Sequence, residues 1–273
     1  MTHYLKISLQ LGCFIVFIMS CQIKQDKAGI TTTTVESKVA SAIQNAKDSL
    51  LDIKIVTGKF DPAHHPSYVK IDTQYANRAG LFLHKETYES FKKMYAAAKE
   101  EDIKLIIKSA TRNFDYQKGI WERKWTGITK INDNTINAAT DFPKYNRRAQ
   151  KILEYSSMPG TSRHHWGTDI DLNFFENYYF ESGEGLLIYE WLSRHASEYG
   201  FCQVYTPKGS NRPNGYNEEK WHWSYLPVAN QLMAIAKQSL NSDMISGFKG
   251  SEVAKELDVV NKYVFGINPA CIE

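Results

Sequence analysis

The chain has 273 residues, 42% of them hydrophobic and 23% charged, which suits one large domain or two small ones with a core that needs no disulfides. The formal net charge is only +3 and is spread evenly, which argues against nucleic acid as a partner. Aromatic residues make up 13%, which suits a groove and a well-filled core equally and decides nothing.

The first element is an apolar run over 7–19, preceded by Lys6 and including Leu9, Leu11, Phe14, Ile15, Val16, Phe17 and Ile18. It has signal-peptide length and falls short of the roughly 20 residues that span a membrane. It ends in Ile18-Met19-Ser20-Cys21, which resembles the lipobox of bacterial lipoproteins, with Met19 where a smaller residue is commoner. The resemblance implies a signal peptide over 1–20 and an acylated Cys21 as the first mature residue, anchored by about 0.8 kcal/mol per buried methylene. Gln22 follows, with no acidic cluster, so the expected location is the cell envelope, at the periplasmic face of an outer membrane. Residues 21–34 are polar, end in four threonines and read as a tether.

Helical spacing begins at 35–51, and 58–67, with two prolines and two histidines, reads as loop. Residues 87–101 form an amphipathic helix with Tyr88, Phe91, Met94, Tyr95 and Ala98 on one stripe. A strand over 103–109, a helix over 116–125, a loop over 126–143 and a helix over 147–155 follow. Next come a strand over 168–174, a helix over 186–199 and a strand over 201–205. A long turn over 206–218 leads into a strand over 221–225, and helices over 228–238 and 250–262 close the chain. There is no repeat and no second hydrophobic signature, so 35–273 reads as one α+β domain.

Chemistry concentrates in two segments, Ser162-Arg163-His164-His165-Trp166-Gly167-Thr168-Asp169-Ile170-Asp171 and Glu219-Lys220-Trp221-His222. A catalytic zinc site needs three protein ligands, often His and a carboxylate, and an open position. Asp169 and Asp171 share one face of their strand because strands alternate. Glu219 lies where the turn enters the strand of His222, placed to reach a water without ligating metal.

The two segments resemble the motifs of the VanY-like D-alanyl-D-alanine carboxypeptidases, zinc peptidases that share the Hedgehog/DD-peptidase fold. Ser162, His164, Gly167 and Asp171 fall on the first motif; Glu219, Trp221 and His222 on the second; Ser109, Arg112 and Gln117 on a third. The resemblance spans about 55–230. It implies a small, mostly antiparallel sheet flanked by helices, with zinc in a cleft over the sheet. It implies His164, Asp171 and His222 as zinc ligands and Glu219 as general base. Arg112 and Ser162 would hold the substrate's terminal carboxylate, with Gln117 a weaker candidate for binding or positioning. The substrate would be the D-Ala end of a peptidoglycan stem peptide. Oligomeric state is not legible. Where the family has alanine this chain has Asp169, which is a partner of the ligands, a determinant of substrate choice, or a competing ligand.

Other histidines read as incidental (His3, His84, His195) or as weak metal candidates (His64, His65), and His165 as structural or cleft-lining. Cys202 and Cys271 form either a disulfide or two buried thiols. A serine carboxypeptidase would need Lys-Thr-Gly beside Ser-x-x-Lys, and a thermolysin-like enzyme His-Glu-x-x-His; neither occurs. The remaining rivals are an endopeptidase or a D-Ala-D-Ala dipeptidase built on the same site, or a zinc-stabilised wall-binding module without catalysis, against which Glu219 speaks.

Overall fold

The computed structural model describes residues 53–272. The expected signal peptide, Cys21, the tether and the 35–51 helix lie outside them.

The frame of the site is a four-stranded antiparallel sheet in the order β3 (Ile107–Ser109), β4 (Asp169–Leu172), β6 (His222–Tyr225), β5 (Phe201–Gln203). All four residues of β4 are buried, as befits a central strand covered on both faces. Alternation then sorts its side chains. Ile170 and Leu172 join Trp221 and Trp223 in a core with Phe91, Met94 and Ala98 of α1 (Lys85–Glu100). Ile188, Trp191 and Leu192 of α5 (Gly183–His195) pack into the same core. The opposite face of β4 and β6 carries Asp169, Asp171, His222 and Ser224, because the register sets Asp169 against Ser224 and Asp171 against His222.

A second apolar cluster joins α2 (Phe114–Trp125), α4 (Tyr145–Ile152) and α6 (Leu226–Ser239) through Trp121, Trp125, Ile152, Leu232 and Met233. Helix α2 starts where the Asn113 side chain accepts the Tyr116 N–H, an N-cap that satisfies one of the helix's free donors. The short α3 (Ala138–Asp141) sits inside the expected loop, capped by Asn137. A two-stranded ribbon, β1 (Tyr68–Lys70) with β2 (Phe82–His84), was not anticipated; three-residue strands carry too little alternation to read.

The expected final helix over 250–262 is corrected. Asp258 takes φ +51°, which an α-helix does not allow, and the segment splits into a 3-10 turn at Ser251–Val253 and a π-turn at Val260–Val264. Cys202 and Cys271 are joined by a disulfide that ties the C-terminal segment to β5.

Candidate metal centre and cleft

His164 lies in the 3-10 turn Arg163–Trp166, which Gly167 ends at φ +71°. A Cβ at Gly167 would stand 2.3 Å from the Tyr68 ring, so the turn that presents His164 requires glycine. The Nδ1–H of His164 donates to the Ala110 carbonyl at 3.0 Å, which leaves Nε2 with its lone pair 3.2 Å from Asp171 Oδ2. Burial holds this imidazole below its ordinary pKa and therefore neutral, the form that ligates. Asp171 and His222 are direct cross-strand neighbours, with His222 Nδ1 3.4 Å from Asp171 Oδ1. One atom from each of His164, Asp171 and His222 falls within 4.8 Å of the others.

Nε2 of His164 and Oδ1 of Asp171 have no hydrogen-bond partner among the described residues, although both are buried. An unpaired buried polar atom costs about 1–3 kcal/mol. Two nitrogens and a carboxylate aimed at one point fit a cation of the zinc type, and the donor set leaves a fourth position free. Burial acts to raise Asp171, but the adjacent histidines outweigh it and hold its carboxyl at about 2, charged at any working pH.

Asp169 is outside that cluster. Its Oδ2 accepts from Arg163 Nε at 3.0 Å and from His222 Nε2 at 2.9 Å. Its Oδ1 accepts from Thr168 Oγ1 and Ser224 Oγ, each at 2.7 Å. Four donors fill the carboxylate, which supports its role as a partner of the ligands. The bond to Nε2 also fixes the His222 ring, turning Nδ1 toward His164 and Asp171. Burial acts to raise Asp169, but the Arg163 charge and the His222 bond hold it far below the usual carboxylate range.

Glu219 is buried beside the triad, with Oε2 2.9 Å from His222 Nδ1. Burial raises its pKa and the bond to His222 opposes that. Above these groups opens a cleft of about 700 Å³ lined by Arg112, Ser162, Tyr155, Lys124 and Glu176 as well as the site residues. Arg112 is positioned by its backbone N–H donating to the His164 carbonyl at 3.0 Å, while its Nε has no partner among the described residues. Ser162 Oγ is buried and also unpartnered.

Gln117 is not among the residues that line the cleft, and its Oε1 has no hydrogen-bond partner among the described residues. It is buried, and its Nε2 donates to the Ser157 carbonyl at 2.8 Å, which braces the 156–157 segment beside the cleft. His165 accepts the Gly160 N–H at Nε2 (3.1 Å) and donates from Nδ1 to the Arg112 carbonyl (2.6 Å), a structural tie behind the site. His64 pairs with Asp61 on the surface. Sequence reasoning missed Arg163, Ser224 and Lys124; an arginine inside the first motif was the one available signal.

Two imidazoles and a carboxylate around one point, a further buried carboxylate and an open cleft are the parts of a mononuclear metallohydrolase. Residues 80–228 match the VanY family of D-alanyl-D-alanine carboxypeptidases, and the chain belongs to that family. It is 30% identical over 148 residues to YodJ of Bacillus subtilis, covering 53% of this chain and 46% of that one. It is 22% identical over 135 residues to a D-alanyl-D-alanine carboxypeptidase of Enterococcus faecalis, covering 50% and 45%. The chain thus spans about half the length of these curated relatives. Among solved structures, the VanYB complex with D-Alanine-D-Alanine is similar at TM-score 0.46 and 20% identity, covering 65% of this chain and 86% of that one. The LdcB LD-carboxypeptidase is similar at 0.47 and 20%, covering 79% and 81%.

Proposed function

We propose that this protein is a zinc-dependent D-alanyl-D-alanine carboxypeptidase that removes the terminal D-Ala of peptidoglycan stem peptides. The observation that carries this reading is the convergence of His164, Asp171 and His222, with Glu219 and Arg112 lining the same cleft. The three ligands hold zinc, the metal with which a VanY variant structure has been determined. When bound there, zinc supplies a Lewis acid for the scissile carbonyl and brings the pKa of water from about 15.7 toward 7. Glu219 Oε2 accepts a proton from the attacking water and returns it to the departing amine. A base kept above ordinary carboxylate basicity by burial suits that exchange. Arg112 pairs with the substrate's C-terminal carboxylate, and the Ser162 hydroxyl donates to the same end.

The cleft extends beyond the donor cluster to Tyr155, Ile120 and Lys124, which gives room for a peptide longer than a dipeptide. The test is a pentapeptide stem incubated with zinc or with chelator, the product read by mass. Loss of one D-Ala, suppressed by chelator, is expected; internal cleavage, or none, overturns the reading. Arg112→Ala is expected to lower kcat/KM on that peptide by about 10–100-fold, the equivalent of a lost charge-assisted pair of about 1.5–3 kcal/mol. Its effect on a C-terminally amidated peptide should be small, and equal losses would remove Arg112 from the carboxylate site.

Membrane attachment through an acylated Cys21 belongs to the same proposal, and its support is the lipobox-like Ile18-Met19-Ser20-Cys21. Cys21→Ala should move the protein from the membrane to the soluble fraction on cell fractionation; an unchanged distribution refutes lipidation.

A further inference from the structure

Lys124 is a cation in the cleft that the cleavage itself does not use. It stands in the last turn of α2, seven residues beyond Gln117, and lines the cleft together with Ile120, Arg112 and Glu219. Its Nζ donates to Ser156 Oγ at 2.5 Å, and among the described residues no carboxylate forms an ion pair with it. Burial lowers its pKa to about 8, the Arg112 charge acts the same way, and Glu219 and Glu176 oppose them. A partly dehydrated ammonium beside a second cation is costly, and an anion placed against it relieves that cost.

Arg112 shares the condition, with Nε unpartnered in the same cleft. The two stand at opposite ends of α2: Arg112 precedes the Asn113 cap, and Lys124 lies eleven residues past it. At 1.5 Å per residue the Asn113 cap and Lys124 are separated by roughly 16 Å along the helix, while the Arg112 charge still acts on Lys124 within the cleft. A peptide carrying two carboxylates would give each cation a partner. One terminal carboxylate accounts for Arg112 and leaves Lys124 without a role.

We propose that Lys124, with Ser156, forms a second anion subsite that reads a carboxylate on the amino side of the scissile bond. Resting on the carboxypeptidase reading, this narrows the substrate class to acidic peptides with a free carboxylate in addition to the C-terminal one. Among stem peptides, those with that branch carboxylate free are favoured over those in which it is amidated.

The experiment uses two pentapeptides with the same sequence and a free C-terminus, one with the branch carboxylate free and one with it amidated. The zinc-loaded wild-type protein is expected to favour the acid by about 10–100-fold in kcat/KM, through KM, the range of one charge-assisted contact. Lys124→Met should abolish that preference and leave the amidated peptide unchanged, and Lys124→Arg should restore it. Equal rates for both peptides in the wild type overturn the subsite. So does an equal loss on both peptides in Lys124→Met, which would mark a structural tie to Ser156. A third peptide, amidated only at its C-terminus, separates the two cations: if Lys124→Met affects discrimination at that end alone, Lys124 shares the Arg112 carboxylate and the proposal fails. Should neither peptide be cleaved, the carboxypeptidase reading fails by itself. Calorimetric affinities of the same peptides then decide the subsite: a preference for the acid that is lost in Lys124→Met supports it, and equal affinities sink it. If Lys124→Met does not fold, the wild-type comparison of acid and amide still decides.

Discussion

Glu219→Ala is expected to lower kcat on a stem pentapeptide by about 100- to 10,000-fold, the usual contribution of a positioned general base, while bound zinc stays at one equivalent. Geometry separates the two effects. Glu219 contributes no atom to the cluster formed by His164, Asp171 and His222, so its removal leaves the donor set complete. Its carboxylate instead lies 2.9 Å from His222 Nδ1, close enough to compete with a cation for that atom when the site holds none. Metal affinity in the variant should therefore hold or rise. Metal content after dialysis and turnover at saturating zinc, measured on the same preparation, check this. Loss of metal with activity would make Glu219 a ligand and undo its assignment as base.

Asp169→Ala is expected to weaken zinc binding by about 10–100-fold and to destabilise the fold by about 3–5 kcal/mol. The first effect follows from His222. With Nε2–H held on Asp169 Oδ2, the ring can offer only Nδ1 to the cluster; without that acceptor both orientation and tautomer are released. The second follows from Arg163, which is 2% exposed and whose guanidinium would lose its one carboxylate. Removal of one partner of a buried pair leaves the other charge uncompensated, which costs more than the pair contributes net. Asp169→Asn keeps the shape and one acceptor oxygen and should recover part of both losses. Competition with a chromophoric chelator reads the affinity and thermal melting of the metal-free protein reads the stability. A variant with wild-type zinc affinity and lowered melting would confine Asp169 to holding Arg163.

The cluster of His164, Asp171 and His222 and the cleft residues Glu219, Arg112 and Ser162 were legible because each sits in a short contiguous motif, and strand alternation already placed Asp169 and Asp171 on one face. The triad's assembly matched the expectation because two of its members face each other across a single strand pair. The role of Asp169 was not legible. Its partners lie 6, 53 and 55 residues away at Arg163, His222 and Ser224, and only the β4–β6 register brings the last two to it. Lys124 was passed over because a lysine near the end of an amphipathic helix usually faces solvent, and whether a cleft covers that face depends on segments far along the chain. Gln117 was a candidate for binding or positioning from its motif, and its contact with the Ser157 carbonyl was not legible because that partner lies 40 residues away.

Local rules of propensity and spacing determined most helices and strands to within a few residues, and the chemical identity of the donor set, because those depend on neighbours in sequence. Tertiary structure decided which donors are buried together, which carboxylate joins their cluster and which holds a ring, and where a cation meets the cleft. Burial and register are properties of segments brought together from distant parts of the chain, and desolvation, which gives these charges their strength, exists only once those segments have packed.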